Sequence, residues 1–427
     1  MIATAILLLL ALLALGLPVA AVLGALGVIL SEFYAMLPIT RAIGEVAWTS
    51  STGFLLVSIP LFVMLGEILL RSGLADRMYG AMVHWLSWLP GGLMHANIGA
   101  CALFAATCGS SAATAATVGT VALPQAAKHG YNERLFLGSL ASGGTLGILI
   151  PPSINMIVYG ALTDTSIPKL YLAGMIPGIM LAGLFMVTIY LICRVRPAWG
   201  GVAIRSSWQQ RWQSLGDLVP PLVIFAVVIG SIYSGLATAT ESAALGVVTA
   251  LVLVVIRGRL SWALMMAVLE GTMRTTAMIM LIILAAFFLN FVMNAIGLTQ
   301  QLNRTITGLD LSPYMLLLAV VVFYTILGCF METLSMMVTT LPIVTPVMAA
   351  AGFDPVWFGI VVIILIELAL ITPPVGLNLY VIQGIRERGS VNDVIVGALP
   401  FVVAMFAMIA LLALVPDLAL LLPRLAL

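Results

Sequence analysis

Hydroxyl side chains are concentrated in one stretch of an otherwise apolar chain, Thr107–Pro124, which reads TCGSSAATAATVGTVALP. From Ala105 to Gly119 no side chain is larger than valine, and the hydroxyl side chains there are Thr107, Ser110, Ser111, Thr114 and Thr117. Polar groups in an apolar run cost free energy unless something bonds to them. The stretch therefore predicts the tip of a re-entrant helical hairpin that holds an ion and a substrate, with its turn at Gly109-Ser110-Ser111. A packing seam of small residues between ordinary helices is the alternative.

Two Pro-Pro pairs are the next chemical feature, in GGTLGILIPPSIN (143–155) and in ELALITPPVGLN (367–378). Proline has no backbone N–H, so each pair leaves helical carbonyls without a donor. The carbonyls concerned lie near Gly147 and Ile148 in the first segment and near Ala369 and Leu370 in the second. We expect the first helix to unwind around Gly143, Gly144 and Gly147. Freed carbonyls suit Na⁺ and half-helix N-termini attract anions, so each pair predicts a broken helix at a binding site; simple proline kinks are the alternative.

Three glutamates and two asparagines lie within apolar runs. Glu332 should face the protein interior, because a carboxylate facing lipid is expensive. It is expected either to contribute to a sodium site or to cap the second helix of a hairpin. Glu241, in TATESA, is expected to cap a helix start, and Glu367 to be a buried partner of unknown role. Asn155 and Asn378 follow the two Pro-Pro pairs, where each can hydrogen-bond a substrate or cap a helix.

The composition places these features in a membrane. The 427 residues are 63% hydrophobic and 8% charged, against about 25% charged in soluble domains. Apolar stretches of roughly 17 to 30 residues recur along the chain, each long enough to cross a bilayer, so membrane lipid is an expected contact. The balance of 17 basic and 16 acidic residues argues against nucleic acid as a partner. The four cysteines lie in apolar stretches and argue against a disulfide framework, and no HExxH, GxSxG or paired catalytic aspartates indicate an enzyme.

The apolar runs predict an all-α polytopic protein in which hairpins and broken helices alternate with full spans. In chain order, the predicted elements are a helical pair at 2–30 broken at Gly16-Leu17-Pro18, an arm at about 31–48, a span at about 53–70, an amphipathic interfacial helix within Arg71–Pro90, a hairpin at about 92–128, a broken helix at about 133–162, a span at 171–193, spans at 217–235 and 238–256, a second arm, a span at 275–296, a hairpin at about 313–348, a broken helix at about 356–381 and a last span at 393–422.

The second half of the chain repeats the first at an offset of 222 residues. The offset takes Gly24 to Gly246, Thr117 to Thr339, Pro124 to Pro346, Gly130 to Gly352, Phe136 to Phe358 and Pro151-Pro152 to Pro373-Pro374. Matched prolines are rarer coincidences than matched glycines or alanines, so an internal repeat is predicted. Its parts are a first repeat at 1–193, a basic cytoplasmic linker at 194–216 and a second repeat at 217–427.

Lysines and arginines predict the orientation. No basic residue precedes Arg41, which argues against a cleavable signal peptide and for an N-terminus outside the cytoplasm. With five crossings per half, 13 of the lysines and arginines lie on the cytoplasmic side of the membrane and 4 on the outer side, as the positive-inside rule requires. An odd number of crossings per half makes the repeats inverted, which is the usual plan of secondary transporters.

These motifs resemble those of a known family, the large membrane subunit of tripartite ATP-independent periplasmic (TRAP) transporters. The matching segments are GSSAATAATVG with Pro124, GTLGILIPPS, DPVWFG at 354–359, TPPVGLNLY at 372–380 and GLATATESA at 235–243. The last segment has Ala239 where proline is common and Ser242 where alanine is common, and Glu332 stands where an aspartate is more usual. The resemblance implies a sodium-coupled symporter for organic anions in the bacterial inner membrane, which moves its substrate by an elevator motion.

The resemblance also implies site residues and partners. Each hairpin and its neighbouring broken helix would bind one sodium ion, so two or more Na⁺ are expected as coupling ions, without an organic cofactor. The first sodium site would use Gly109, Ser110, Ser111 and carbonyls near Gly147, and the second Glu332 or Thr333 with Thr372 and Gly376. Substrate would lie near Ser111, Thr114, Asn155 and Asn378. The implied partners are a small four-helix membrane subunit of the Q type and a periplasmic substrate-binding protein, both separate polypeptides.

Other functions fit parts of the sequence. The nearest alternative is a stand-alone Na⁺ or H⁺ symporter for dicarboxylates, built on the same hairpin plan but without a binding protein. No catalytic motif in the sequence supports an intramembrane enzyme. A structural subunit without transport activity would leave the two matched broken helices unexplained. The substrate stays open among C4-dicarboxylates, sialic acid and other sugar or keto acids, because no arginine falls within either predicted tip.

Overall fold

The computed structural model describes residues 1–35, 39–202, 204, 206–308, 311–386 and 388–426. Within these residues every regular element is a helix. In chain order the α-helices are α1 (Ile2–Ala14), α2 (Val19–Tyr34), α3 (Ile43–Ser51), α4 (Ser58–Arg71), α5 (Leu74–Leu86), α6 (Leu93–Cys108), α7 (Ser111–Lys128), α8 (Glu133–Leu149), α9 (Ile154–Thr163), α10 (Ile167–Val195), α11 (Trp208–Tyr233), α12 (Ala239–Ile256), α13 (Trp262–Ala295), α14 (Leu298–Thr307), α15 (Pro313–Gly328), α16 (Thr333–Ala350), α17 (Pro355–Ala369), α18 (Leu377–Ile385), α19 (Val391–Leu414) and α20 (Asp417–Ala426). Short 3₁₀ helices lie at Ile39–Ala42, Phe54–Val57 and Pro197–Gly200.

The described helices have the length and polarity of a protein that crosses a membrane several times. Seven helical segments are long and apolar enough to span a bilayer, or eight if the pair α8–α9, bent by 43°, counts as one span. The seven are Phe54–Arg71, α10, α11, α12, α13, α16 and α19. Large apolar side chains on their outer faces are exposed, for example Val187 of α10, Val248 of α12 and Leu281 of α13, which is the surface that suits lipid contact.

The predicted hairpins and broken helices are confirmed. Helices α6 and α7 form the first hairpin and α15 and α16 the second. Helices α8 and α9 are separated at Pro151-Pro152, and α17 and α18 at Pro373-Pro374; both Pro-Pro bonds are cis. Each half of the chain therefore has a hairpin, then a Pro-Pro-broken helix, then a long span.

Capping residues explain where two helices of the second half begin. Ser207 forms a capping box with Gln210, so α11 begins at Trp208, inside the predicted linker and before the span start predicted at 217. Thr238 and Glu241 form the capping box of α12, with the Thr238 N–H donating to Glu241 Oε2 at 2.8 Å. The capping role predicted for Glu241 is thus confirmed.

Two other predicted boundaries are wrong. The arm expected before residue 275 is helical, because the Ser261 hydroxyl accepts a hydrogen bond from the Leu264 N–H at 3.1 Å and starts α13 at Trp262. Alanine, leucine and methionine in that segment favour a helix. The last span, expected at 393–422, is two helices, since α19 ends at Leu414 and Pro416 cannot continue the helical hydrogen bonds.

The described part of the linker packs against the amphipathic helix α5. His84 Nδ1 and Ser206 Oγ are 2.9 Å apart, and the Trp85 indole donates to the Arg211 carbonyl at 3.2 Å. The rings of Trp85 and Trp212 meet edge to face. The linker therefore holds the start of α11 on α5, so these contacts connect the two halves of the chain.

The helices pack in two groups. One group contains α2, α4, α12 and α13; the other centres on α8, which contacts α6, α7, α18 and α19. The crossing of α8 with α19 brings the backbones of Gly138 and Gly397 into direct contact. At the start of α8 and α19, Arg386 forms ion pairs with Glu133 at 2.7 Å and with Asp393 at 3.4 Å. Helices from both halves of the chain thus form the group that carries the first hairpin.

Candidate functional site

The first hairpin turns at Gly109 and Ser110, as predicted. Gly109 ends α6 with a φ of +65°, a conformation that glycine adopts without strain, and Ser110 is the extended N-cap residue of α7. The Ser110 hydroxyl has no hydrogen-bond partner among the described residues. The Thr114 hydroxyl donates to the Ser110 carbonyl at 2.7 Å, so Thr114 stabilises the turn from within α7.

Glycines of α8 allow this tip to lie directly against the first broken helix. A Cβ on Gly147 would lie 2.7 Å from the Ser110 carbonyl oxygen, and one on Gly144 would lie 2.6 Å from the Ala115 Cβ. These glycines stay helical, because α8 runs to Leu149. The prediction that the helix unwinds around them is therefore wrong: the break follows them, and the glycines permit close packing instead.

The two breaks differ in whether their backbone carbonyl oxygens accept hydrogen bonds. At the first, the residues four positions after Gly147 and Ile148 are prolines, so neither carbonyl has its helical donor. At the second, the Leu370 carbonyl accepts from the Asn378 N–H at 3.0 Å, so this oxygen is not free as predicted. The Ala369 carbonyl accepts from the Thr372 N–H at 3.4 Å. The first break thus offers more unbonded carbonyl oxygen than the second.

A buried amide of the second half bonds to the first hairpin tip. The Asn378 side chain is fully buried and donates to the Ser111 hydroxyl at 2.8 Å and to the Ala141 carbonyl at 3.0 Å. The structure therefore brings together two residues that were predicted to contact substrate from opposite halves. In this conformation they bond to each other, and the Asn378 Oδ1 has no partner in the described part of the chain.

The second hairpin tip is capped by Glu332. Its carboxylate accepts from the Thr333 hydroxyl at 2.8 Å and from the Ser335 N–H and hydroxyl, both at 3.1 Å. Glu332 is thus the N-cap residue of α16, which confirms the capping alternative. The side chain is exposed on a cavity between helices, so it also remains accessible to an ion.

A cavity of about 300 Å³ lies between the two tips. Its walls come from both hairpin tips, both broken helices, and the helices α4 and α13. The polar residues that line it are Glu67, Ser110, Ser111, Asn155, Thr275, Glu332 and Thr333. The amide nitrogen of Asn155 is buried and has no hydrogen-bond partner within the described ranges, so it is a donor available to a ligand.

Four helices begin at this cavity. Ser111 of α7, Ile154 of α9, Thr333 of α16 and Leu377 of α18 all line it, and each stands at the first position of its helix. A helix N-terminus carries about half a positive charge and backbone N–H groups without helical partners. The four ends favour an anion although no arginine lines the cavity; of the two carboxylates in its lining, Glu67 pairs with Arg71 and Glu332 caps the start of α16.

Several predicted site residues lie outside the cavity lining. Thr114 and Gly147 stand behind the first tip, where they contact the Ser110 carbonyl. The Thr372 hydroxyl donates to the Leu368 carbonyl at 2.6 Å, and the Thr372 carbonyl accepts from the Gly376 N–H at 3.1 Å. The structure therefore gathers Gly109, Ser110, Ser111, Asn155, Glu332 and Thr333 at the cavity and sets the other predicted residues around it.

Glu67 is a cavity residue that the sequence reading missed. It lies on α4, pairs with Arg71 at 2.7 Å and packs on the backbone of Gly271 of α13. A carboxylate inside a membrane-spanning segment is by itself a signal of function, and the segment Phe54–Arg71 carries this one. Glu367, by contrast, is fully buried as expected, and its carboxyl oxygens have no partner in the residues that the structure covers.

Comparison with known proteins places these features in a family. The model of the DctM component of the tripartite ATP-independent periplasmic transporters matches residues 6–418. The chain is 36% identical over 440 residues to a C4-dicarboxylate TRAP transporter large permease protein of Rhodobacter capsulatus, covering 98% of each chain. It is 31% identical over 374 residues to a sialic acid TRAP transporter large permease protein of Vibrio cholerae, covering 87% of each.

A solved structure has the same fold. The YdaH transporter of Alcanivorax borkumensis superposes with a TM-score of 0.63 over 97% of both chains, at 18% sequence identity. At that identity the likeness concerns the fold. It supports an all-α polytopic transporter fold with re-entrant hairpins and broken helices.

Proposed function

Because this chain belongs to the DctM family, the large permeases of tripartite ATP-independent periplasmic transporters, we propose that it is a sodium-coupled symporter subunit that imports a small organic anion. A multi-pass permease of this family works in the inner membrane beside a small membrane subunit and a periplasmic binding protein. In the proposed cycle the binding protein delivers the anion to the cavity between the hairpin tips.

The four helix N-termini at the cavity carry the anion part of the proposal. The starts of α7 and α18 have no side-chain cap and supply positive potential without a fixed cation, whereas the side chains of Ser153 and Glu332 cap α9 and α16. Such a site holds a carboxylate and releases it again more readily than a buried arginine pair does. The Asn155 amide adds a side-chain donor at the start of α9.

The size of the cavity favours a short acid. Its volume of about 300 Å³ lies at the lower end of the range of roughly 300–1,000 Å³ for small-molecule sites. A C4-dicarboxylate, the substrate class in the name of the Rhodobacter relative, fits this volume more readily than a nine-carbon sugar acid. We therefore place a small dicarboxylate or a similar keto acid first among the substrates.

Sodium coupling rests on the oxygen atoms of the two tips. The first tip offers the Ser110 hydroxyl, and the adjoining break offers the carbonyls of Gly147 and Ile148, which lack their helical donors. The second tip offers the Glu332 carboxylate and the Thr333 hydroxyl. Hydroxyl, carbonyl and carboxylate oxygens are ligands for a hard cation, so each tip can bind Na⁺. A bound cation at each tip would also increase the attraction for the anion.

The walls of the cavity support an elevator motion. Helices α4 and α13 belong to one packing group and form one wall, whereas the first tip packs on α8 in the other group. In the proposed motion the hairpins and broken helices move as a unit past α4 and α13. The two repeats would then be inverted, so that the cavity opens to either side in turn.

Uptake into liposomes tests the proposal. The permease with its small subunit is reconstituted, the binding protein and labelled C4-dicarboxylate are added outside, and uptake is compared in an inward Na⁺ gradient, in choline and in an H⁺ gradient. We expect uptake only with Na⁺ and the binding protein together. Equal uptake without Na⁺ would refute the coupling, and uptake without the binding protein would favour a stand-alone symporter.

Accessibility labelling tests the orientation. The linker is proposed to be cytoplasmic, with the N-terminus outside. Val202 is exposed and suits a cysteine substitution, whereas a side chain on the neighbouring Gly201 would meet the Tyr131 ring. We expect Val202→Cys to react with a membrane-impermeant maleimide in inverted vesicles and not in intact cells. Labelling in intact cells would reverse the proposed topology.

A further inference from the structure

Three arginines gather where α4 ends, α5 begins and α12 ends, away from the proposed transport site. Arg77 lies in the first turn of α5, and Arg257 and Arg259 directly follow α12. Together with Ser72, Gly73, Leu74 and Val254, they line a shallow cleft of about 10 Å³. A cleft of this size has room for a single oxygen atom of a ligand and not for a whole metabolite.

The charges in this arginine cleft are not balanced. Arg77 and Arg257 share Asp217, whose Oδ1 is 3.9 Å from one guanidinium and 3.6 Å from the other. Arg259 has no ion-pair partner within the part of the chain that the structure describes. Three guanidinium groups against one bonded carboxylate leave an excess of two positive charges. Asp76, in the same turn as Arg77, is exposed and does not line the cleft.

The N-terminus of α5 adds to this positive potential. Its N-cap residue is Gly73, which has no side chain to accept hydrogen bonds from the first turn, and no other side chain caps that end. A guanidinium nitrogen of Arg259 would lie 3.6 Å from a Cβ placed on Gly73. Open N–H groups at the start of a helix and a neighbouring guanidinium are the two components of many phosphate sites.

The cleft opens beside a lipid-facing surface. Helix α12 is a candidate span that ends at Ile256, immediately before Arg257. Val248, Val252 and Val255 follow one another at helical spacing and are 58%, 50% and 54% exposed. An apolar stripe therefore leads from the middle of the span to the arginine cleft. This combination matches a molecule with an anionic head and an apolar tail.

We propose that the arginine cleft binds the phosphate of an anionic phospholipid, with its acyl chains along the exposed stripe of α12. A phosphate oxygen enters the cleft, where Arg257 and Arg259 donate to it with the first N–H groups of α5. This site is independent of the proposed transport function. It places a lipid at the contact of α4, α5, α11 and α12, where the two halves of the chain meet.

Native mass spectrometry tests the assignment on the permease purified with its small subunit. The complex is incubated with equal amounts of phosphatidylglycerol and phosphatidylcholine, and the retained lipids are counted. We expect retention of phosphatidylglycerol over phosphatidylcholine. In Arg257→Gln/Arg259→Gln this preference should fall roughly tenfold, because each arginine near the membrane surface attracts anionic lipid.

A matched control removes the same charge elsewhere. Arg194 and Arg274 are exposed arginines at other helix positions, outside the cleft, and Arg194→Gln/Arg274→Gln should keep the preference. Arg259→Gln alone should lower it several-fold without loss of an ion pair, which separates lipid binding from misfolding.

Four results would overturn the proposal. One is an equal loss of preference in the control variant, which would indicate a general charge effect. Another is an unchanged preference in the cleft variants. The third is displacement of phosphatidylglycerol by inorganic phosphate at comparable concentration, which would identify a free-anion site. Absence of any preference in the complex would overturn it equally.

Discussion

The two hairpin tips reach the same cavity with different local chemistry. The first turns at Gly109-Ser110 with no side-chain cap, and its backbone lies against Gly147 of the first broken helix. The second turns just before Glu332, whose carboxylate holds three donors at the start of α16. The first tip is held by close backbone packing against a glycine, and the second by hydrogen bonds to a carboxylate.

This difference predicts different sensitivities. Close backbone packing leaves no room for an added carbon, so the first tip should respond to changes of volume. A carboxylate cap tolerates changes of volume but depends on its charge, so the second tip should respond to neutralisation. The comparison also bears on the coupling ions, because charged and neutral oxygen ligands bind Na⁺ with different strengths.

The largest effect is expected from Gly147→Ala. The new Cβ would lie 2.7 Å from the Ser110 carbonyl oxygen, which is a backbone atom that cannot swing away. Overpacking of this kind costs about 1–3 kcal/mol, which corresponds to roughly 5- to 150-fold if it falls on sodium affinity. Half-saturating Na⁺ for liposome uptake measures the effect.

Gly384→Ala is the matched control for this substitution. Gly384 lies in α18 and a Cβ there would have nothing within 4 Å, so uptake should stay close to wild type. If Gly147→Ala also left the sodium dependence unchanged, the tight packing of the first tip would be irrelevant to ion binding.

The next effect is expected from Glu332→Gln. If the carboxylate serves both as cap and as sodium ligand, half-saturating Na⁺ should rise about tenfold, or about 1.4 kcal/mol. Glu241→Gln is the control, because the Glu241 carboxylate also stabilises a helix start, from the third position of the α12 capping box, but does not line the cavity. A similar sodium dependence in both variants would show that Glu332 acts as a cap alone.

The smallest effect is expected for the contact between the tip and the other half. Ser111→Ala, Asn378→Ala and the double variant form a cycle whose coupling in thermal stability should be about 0.5–1.5 kcal/mol, the contribution of one hydrogen bond. Ser139→Ala, which removes the buried bond from Asn97, should cost similar stability without an effect on substrate affinity. Strictly additive losses in the cycle would show that the 2.8 Å bond does not couple the two residues.

Much of the architecture could be predicted because local rules govern it. The Pro-Pro pairs at 151–152 and 373–374 match at the repeat offset, so both breaks could be placed from the sequence, although Pro220-Pro221 lies within the continuous helix α11. The turn at Gly109-Ser110 followed from the small residues around it. The role of Gly144 and Gly147 could not be predicted, since glycine serves both unwinding and close packing, and only the position of α7 decides between them. Glu67 was missed because its place on the cavity wall depends on tips and broken helices that lie far away in the chain.

The sequence by itself determined the membrane class, the two hairpins, the two Pro-Pro breaks and the family motifs. These follow from composition, from the missing N–H of proline and from short contiguous segments, all of which act over a few residues. Only the tertiary structure decided that four helix N-termini meet at one cavity, that Asn378 bonds to Ser111 across 267 positions, and that the arginine cleft joins α5 to α12. These features depend on contacts between residues far apart in the chain, which are set by how whole helices pack against each other and not by local conformational preference.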